Sequence, residues 1–187
     1  MYNGGMDIIE QHFQEVSDTL HKIDRHEIER VADILFYVRK DGGSVWLAGN
    51  GGSAATASHF ANDLVKMCGL KAFCLSDMTP MATAYGNDNG WENMYAHLLA
   101  KVEGPDDAVI GITCSGNSAN IVEFLRQSAA RWKIVLTGGD AGSAVSYLVP
   151  HGLLRAEHDD IRVQEDVHSV LCHALARKLA TGENYGH

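Results

Sequence analysis

Residues 44–53 read Ser-Val-Trp-Leu-Ala-Gly-Asn-Gly-Gly-Ser, a short apolar run that ends in a cluster of glycine, asparagine and serine. A run of this kind predicts a buried strand followed by a tight loop. Residues 54–66 come next and have the length and composition of a helix. This stretch decides the fold class, because strands that alternate with helices form parallel sheets through crossover connections.

Strand-and-loop units of the same kind recur along the rest of the chain. Apolar runs at 72–75, 108–112 and 133–136 are each followed by Gly, Ser, Thr or Asn. Helical spacing of apolar residues predicts two helices before the first strand and a last helix over 163–180. We therefore expect an α/β fold, a three-layer αβα sandwich with a mainly parallel sheet of roughly five strands, preceded by two N-terminal helices.

Length and charge limit the classes of protein to which the chain can belong. The 187 residues suit one domain, 1–187, with an N-terminal helical region at 1–41 and a frayed polar tail at 181–187. The formal charge of −9 is the wrong sign for a surface that binds nucleic-acid phosphates. No segment approaches the roughly 18 to 20 apolar residues of a membrane helix, and the start lacks a signal-peptide pattern. We expect a cytoplasmic protein that binds neither nucleic acid nor membranes.

Two predicted strand-to-helix loops contain the candidate binding residues. The first loop, residues 49–53, places its glycines and Ser53 at a helix N-terminus, where free N–H groups and the helix dipole favour an anion. The second loop, residues 113–118, reads Thr-Cys-Ser-Gly-Asn-Ser and offers three hydroxyls. A tight turn with a serine cap explains the first loop alone but not both. We expect the loops to meet at one sheet edge and to bind a phosphate monoester.

The first loop also fits a dinucleotide-binding pattern. Gly49, Gly51 and Ala54 have the fingerprint spacing, and Asp77 follows the second strand. The fit is weak, because Asp77 lies 28 residues after Gly49 and two helices precede the first strand. A dinucleotide site also gives no account of the hydroxyls in the second loop. We therefore expect no organic cofactor.

Four motifs, in this order, resemble those of the sugar isomerase (SIS) domain family and, within it, the phosphoheptose isomerases. They are Gly-Asn-Gly-Gly-Ser at 49–53 with Ser-His-Phe at 58–60, Gly-Asn-Asp at 86–88, Thr-Cys-Ser-Gly-Asn-Ser-Ala-Asn at 113–120, and Glu-Asp-Val-His at 165–168 with His173. The resemblance covers nearly the whole chain. It implies an isomerase that converts sedoheptulose 7-phosphate to D-glycero-D-manno-heptose 7-phosphate through an enediol. It also implies a homotetramer with its sites at subunit contacts.

The resemblance further implies roles for individual residues. The predicted base is Asp63 and the predicted acid is His173, which together move a proton between adjacent carbons. Some relatives hold zinc, and the corresponding residues here are His59, Asp63, Glu165 and His173, a set that suits zinc and would let the ion polarise the substrate carbonyl. The residues implied to bind the sugar phosphate are Asn50, Gly51, Gly52, Ser53, Asn87, Asp88, Thr113, Ser115, Ser118 and Glu165.

The sequence departs from the family pattern at the base and in the last helix. The family has glutamate where this chain has Asp63, so the carboxylate is withdrawn by about 1.5 Å. A misplacement of about 1 Å can lower the rate on the order of 100-fold. The family commonly has glutamine eight residues before its catalytic histidine; Glu165 has that spacing from His173, whereas Gln164 falls on the opposite helix face. His168 shares the same broad face, so we expect Glu165, His168 and His173 to line one cavity.

Two other functions stay open from the sequence. A non-catalytic SIS protein that binds a bacterial replication initiator would explain the shortened base. An isomerase of another phosphosugar would use the same site. The full set of Gly, Ser, Asp, Glu and His residues favours an enzyme, because an interaction module has no need to keep them together.

Overall fold

The computed structural model describes residues 7–148 and 150–181. Within these residues, the helices are α1 (Ile8–Lys22), α2 (Arg25–Lys40), α3 (Gly52–Lys66), α4 (Thr79–Asn89), α5 (Met94–Leu99), α6 (Ala119–Gln127) and α7 (Ile161–Thr181). The strands are β1 (Ser44–Ala48), β2 (Lys71–Cys74), β3 (Ala108–Thr113), β4 (Trp132–Thr137) and β5 (Gly152–Arg155). No helix of the described ranges is both long and apolar enough to cross a membrane.

The strands form a parallel sheet in the order β2-β1-β3-β4-β5. The strand order reverses between β1 and β3, because the chain leaves β1 toward one edge and returns to build the other side. Sheets of this order bind their ligands beyond the carboxyl ends of the strands at the point of reversal. The first and second loops directly follow β1 and β3, so the topology places both at that point.

Helices cover both faces of the sheet and enclose two apolar cores. One core contains Phe60 of α3, Leu175 of α7 and Ile110 of β3. The other contains Phe124 of α6 and the neighbouring strand residue Val109. Ile110 and Val109 lie in different cores because successive side chains of a strand point to opposite faces. The predicted three-layer αβα fold with two leading helices is therefore confirmed.

Some boundaries differ from the sequence prediction. Helix α3 begins at Gly52, two residues before the predicted start. The position of β5 carries little sequence signal, because it is a four-residue edge strand of alternating burial rather than a continuous apolar run. Helix α7 extends to Thr181, and the rest of the predicted polar tail lies outside the described residues.

Candidate functional site

The first loop turns sharply from β1 into α3. Gly51 adopts a φ of 54°, a conformation that favours glycine because a side chain there would be strained. The N–H of Ala54 already bonds back to the carbonyls of Asn50 and Gly51, which starts the helix within the loop. Ser53 is buried in the first turn of α3. The first N–H groups of a helix have no intrahelical partner, so this turn provides a neutral anion-binding surface.

The second loop is held in shape by its own hydroxyls and by a neighbouring segment. Thr113 Oγ1 donates a hydrogen bond to Ser118 Oγ at 3.2 Å. Ser115 Oγ accepts from the backbone N–H of Asn117 at 3.1 Å. The Gly116 carbonyl accepts a hydrogen bond at 3.0 Å from the backbone N–H of Val145, which lies between β4 and β5. These contacts hold the three hydroxyl side chains near the start of α6.

The two loops lie side by side, as predicted. Asn50 Nδ2 donates to Asn120 Oδ1 at 2.9 Å, and Asn120 Nδ2 donates back to Asn50 Oδ1 at 2.8 Å. Ser53 Oγ lies 3.9 Å from Cys114 Sγ. Sequence reasoning did not select Asn120 as a site residue, because its pairing with Asn50 exists only once the two loops have been brought together.

Helices α3 and α7 pack against each other in parallel. We call the seam between them the α3–α7 groove; it contains a cleft of about 220 Å³ that is lined by Ala55, Thr56, His59, Ser169, Cys172 and His173. The contacts along it, in chain order on both helices, are Gly52 with Glu165, Thr56 with Ser169, and His59 with His173. These contacts run along both helices from the N-terminus of α3 to the histidine in its third turn.

Three potential metal-binding atoms meet at the far end of this groove. His59 Nε2 lies 3.0 Å from His173 Nε2, and Asp63 Oδ2 lies 3.6 Å and 3.9 Å from these two nitrogens. His59 and Asp63 share a face of α3 because they are four residues apart. Neighbouring ligand atoms of a tetrahedral zinc site lie about 3.3 Å apart, given bonds of about 2.0 Å. The side chains present therefore fit a cation of this size.

Glu165 lies at the loop end of the groove and not in this cluster. A Cβ atom built on Gly52 would lie 2.3 Å from Glu165 Oε1, so the carboxylate touches the start of α3. Burial raises the pKa of the Cys114 thiol, and the nearby Glu165 carboxylate adds to that effect. Glu165 therefore faces both loops. Glycine at position 52 leaves room for this carboxylate, which would have to shift if a side chain stood there.

Asn87 and Asp88 lie in the last turn of α4 and are exposed. Asn87 Nδ2 donates to Asp88 Oδ1 at 2.8 Å. Across residues 7–148 and 150–181, their side chains form no hydrogen bond with either loop. The single chain thus unites the two loops and the α3–α7 groove, and it leaves these two predicted substrate-binding residues on a separate surface.

The prediction that Glu165, His168 and His173 line one cavity is wrong. His168 is 1% exposed and lies near the backbone of Thr137, whereas His173 is exposed beside His59. Five residues of helix rotate a side chain by about 140°, which separates the two histidines. Burial lowers the pKa of His168 to about 4, although the Thr137 backbone opposes this shift. Neither ring nitrogen has a hydrogen-bond partner among the described residues.

Comparison with known families defines the class of this protein. The SIS domain family matches residues 11–137, more than half of the chain. The chain therefore belongs to the SIS domain family, in agreement with the resemblance of its motifs. Distant members share the fold alone, as in the sugar isomerase domain of an RpiR transcription factor from Sphaerobacter thermophilus, which is 17% identical with a TM-score of 0.71.

Nearer relatives are named phosphoheptose isomerases. The chain is 35% identical over 166 residues to that of Helicobacter hepaticus, covering 84% of each protein. It is 37% identical over 163 residues to that of Trichlorobacter lovleyi, covering 83% of this chain and 82% of the relative. The structure of the phosphoheptose isomerase from Neisseria gonorrhoeae superposes with a TM-score of 0.84 at 30% identity, over 92% of this chain and 97% of that one.

Proposed function

We propose that the protein is a phosphoheptose isomerase, which converts sedoheptulose 7-phosphate to D-glycero-D-manno-heptose 7-phosphate. One observation carries the proposal: the α3–α7 seam begins at Gly52 of the first loop, which lies beside the second loop, and ends at a carboxylate and two imidazoles. The loops suit a phosphate, and the cluster suits proton transfer. The relatives named phosphoheptose isomerase support the same activity.

The length of the groove favours a seven-carbon substrate. His59 and Asp63 follow Ser53 by six and ten residues, which corresponds to about 9 to 15 Å along the axis of α3. The extended chain from phosphorus to C2 of a ketoheptose 7-phosphate contains seven bonds and spans about 9 Å, whereas the five bonds of a ketopentose 5-phosphate span about 6 Å. A heptose phosphate held at the loops therefore extends to the near end of this range, at His59, whereas a pentose phosphate ends about 3 Å short of it.

Asp63 and His173 carry the proton transfers in this proposal. Asp63 removes a proton from C1 while His173 donates one to the carbonyl oxygen on C2, which gives the enediol. Asp63 then returns the proton to C2, and His173 accepts the proton of the C1 hydroxyl, which gives the aldose. Asp63 Oδ2 and His173 Nε2 are 3.9 Å apart, so both reach the two adjacent carbons and their oxygens.

The remaining site residues bind and orient the substrate. Hydroxyls and backbone N–H groups of the two loops hold the phosphate, and the Glu165 carboxylate accepts hydrogen bonds from sugar hydroxyls beside Gly52. The residues that contact the substrate are Gly51, Gly52, Ser53, Thr113, Ser115, Ser118 and Glu165, and Asn50 lies beside them in the first loop. These contacts orient the carbon chain along the groove, so that C1 and C2 lie at the cluster.

Assembly into a homotetramer with sites at subunit contacts completes the proposal. Asn87 and Asp88 lie outside the groove of their own chain, so we place them near the sugar hydroxyls of a neighbouring subunit. The face of α1 that carries Ile8, Ile9 and Phe13 supports assembly, because all three side chains are more than half exposed. Contiguous exposed apolar side chains mark interaction surfaces. Size-exclusion chromatography with light scattering measures the molecular mass of the assembly, which we expect to be that of four chains.

A zinc ion fits the cluster at the end of the groove. His59, Asp63 and His173 would hold it, and Glu165 is the predicted fourth ligand once its side chain turns from Gly52 along α7. Zinc would supply a Lewis acid that polarises the substrate carbonyl. His59, whose ring touches that of His173, then orients the cluster as a ligand. The acid–base roles of Asp63 Oδ2 and His173 Nε2 belong to the protein without metal, because an atom that binds zinc is not free to exchange a proton.

Incubation with sedoheptulose 7-phosphate, with and without added zinc, tests the proposed function. We expect the aldose product from the wild-type protein and a loss of turnover in His173→Ala. His26→Ala removes an exposed histidine of α2 and serves as the matched control, with unchanged activity. No turnover under any metal condition would contradict the proposal and favour the non-catalytic SIS protein. Turnover of pentose or hexose phosphates alone would assign another phosphosugar.

A further inference from the structure

The amide pair that joins the two loops is a feature to which the proposed chemistry assigns no step. Asn120 is fully buried in the first turn of α6, and Asn50 is half-buried in the first loop. Each side chain donates one hydrogen bond to the other and accepts one in return. A primary amide has two N–H groups and two acceptor lone pairs, so the reciprocal pair leaves one donor and one acceptor site free on each.

The other side-chain hydrogen bonds of the first loop attach it to a different part of the molecule. The Gly49 carbonyl accepts from Ser76 Oγ at 2.8 Å and from the Tyr95 hydroxyl at 3.3 Å. These contacts hold the loop to the segment after β2 and to α5, and neither touches the second loop. Among the described residues, the strong hydrogen bonds that cross between the loops are therefore the two between Asn50 and Asn120.

We infer that Asn50 and Asn120 are positioning residues that set the distance between the two halves of the phosphate site. The inference deepens the proposed function and rests on its assignment of phosphate to both loops. A phosphate bridges donors of the two loops only while they stay at hydrogen-bond distance, and hydrogen bonds weaken steeply outside that geometry. Because the phosphate does not react, loss of the pair weakens ground-state and transition-state binding equally and raises KM rather than lowering kcat.

Steady-state kinetics and inorganic phosphate binding, measured on a double-mutant cycle, test this inference. We expect Asn50→Ala and Asn120→Ala each to raise KM for sedoheptulose 7-phosphate and Kd for phosphate by about tenfold, with kcat within about twofold. The double variant is expected to match the single ones, because either change removes the whole pair. Gln127→Ala is the matched control: it removes an exposed amide of the same helix, which bonds to Asn93 instead.

Each other result overturns the inference in an identifiable way. Multiplied effects in the double variant would make the asparagines independent substrate contacts, and unchanged KM and Kd would deny them a role. A lower kcat at unchanged phosphate Kd would place Asn50 at the reacting carbons. If the buried Asn120→Ala variant fails to fold, Asn50→Ala and Asn50→Asp on the loop provide the same KM and Kd readings. A wild-type protein that binds phosphate without turnover would contradict the proposed function alone, and the Kd series would still decide the role of the pair.

Discussion

The two ends of the α3–α7 groove differ in how they are held. At the loop end, hydrogen bonds cross between buried or half-buried groups, and Ser53 and Thr113 are almost inaccessible. At the cluster end, the side chains of His59 and His173 are 59% and 53% exposed around a buried Asp63. The loop end, which is the proposed binding end, is therefore held in place within one chain, whereas the cluster end, which is the proposed chemical end, is open to solvent.

The two ends of the groove also differ in how closely their sequences follow the family motifs. The loops carry the motifs of the family, while the departures, Asp63 and Glu165, are the carboxylates that lie along the groove. Asp63 Oδ2 lies 3.6 Å and 3.9 Å from the ring nitrogens of His59 and His173. Substitutions at each end, taken from the largest expected effect to the smallest, test how far the two ends act separately.

The largest effect is expected at the cluster end. Asp63→Asn keeps the shape of the side chain and removes the base, so kcat should fall about 1000-fold with KM within a few-fold. Steady-state kinetics at saturating substrate measure this change. Asp41→Asn, at an exposed aspartate paired with Arg131, is the control. Full activity of Asp63→Asn, together with inactivity of Glu165→Gln, would move the base to the loop end.

A substitution of His168 tests the buried side of α7. Its folded pKa of about 4 lies below the ordinary value of 6.5, so the unfolded chain binds the extra proton as the pH falls between these values. The free energy of unfolding should therefore decrease by about 3 kcal/mol from pH 7 to pH 4 on account of this group. His168→Leu should remove that part of the pH dependence, as measured by urea unfolding.

The same variant has a second expected outcome at neutral pH. Because neither nitrogen of His168 forms a hydrogen bond of normal geometry in the described part of the chain and only the Thr137 backbone lies near, leucine should cost little stability there. His26→Leu, at an exposed position, is expected to leave the acid-induced loss in place. A strongly destabilised His168→Leu protein at pH 7 would instead show that the imidazole binds a partner such as buried water.

Ser118→Ala tests the loop end with a smaller effect. The hydroxyl accepts from Thr113 and stands at the start of α6, so its removal should raise KM about tenfold and leave kcat within about twofold. Kinetics over a range of sedoheptulose 7-phosphate concentrations give both constants. Ser17→Ala on α1 provides the control. A fall in kcat of the size expected for Asp63→Asn would end the distinction between binding and chemical ends.

The smallest effect is expected for Glu165→Gln. The glutamine side chain keeps an oxygen that accepts hydrogen bonds from the sugar hydroxyls, but it loses the charge that faces both loops and repels a bound phosphate. KM should therefore fall by about threefold at low salt. Salt screens such interactions, so the gain should shrink as ionic strength rises. Asp166→Asn, at the adjacent residue that pairs with His12, is the control. A higher KM in Glu165→Gln would show that the carboxylate binds sugar hydroxyls more strongly than it repels phosphate.

Local signals predicted the loop end of the site and most of the fold. Residues 44–53 combine an apolar run, glycines and a serine, and each of these constrains the backbone within a few residues. The parallel sheet then follows from alternation, and the meeting of the loops follows from the parallel sheet. The same logic failed for β5, because Gly152–Arg155 is a short edge strand without a distinctive apolar pattern.

Features that depend on tertiary contacts escaped prediction. Helical spacing alone grouped His168 with His173, but the sheet buries one and solvent reaches the other. The pairing of Asn50 with Asn120 needs two loops that are 70 residues apart in the sequence. The contact between Glu165 and Gly52 depends on how α7 packs against α3. The eight-residue spacing between Glu165 and His173 does not determine that packing.

Because α3 and α7 pack in parallel, the position of a residue along the pair sets its distance from the loop end of the groove. Each residue along α3 adds about 1.5 Å to that distance. A shift of the His-x-x-x-Asp pair by one full turn would change that distance by about 5.4 Å, or roughly four carbons of an extended chain. With phosphate at the loops as proposed, a new chain-length preference on this scaffold would require coarse steps along the helix, with finer adjustment left to side-chain length.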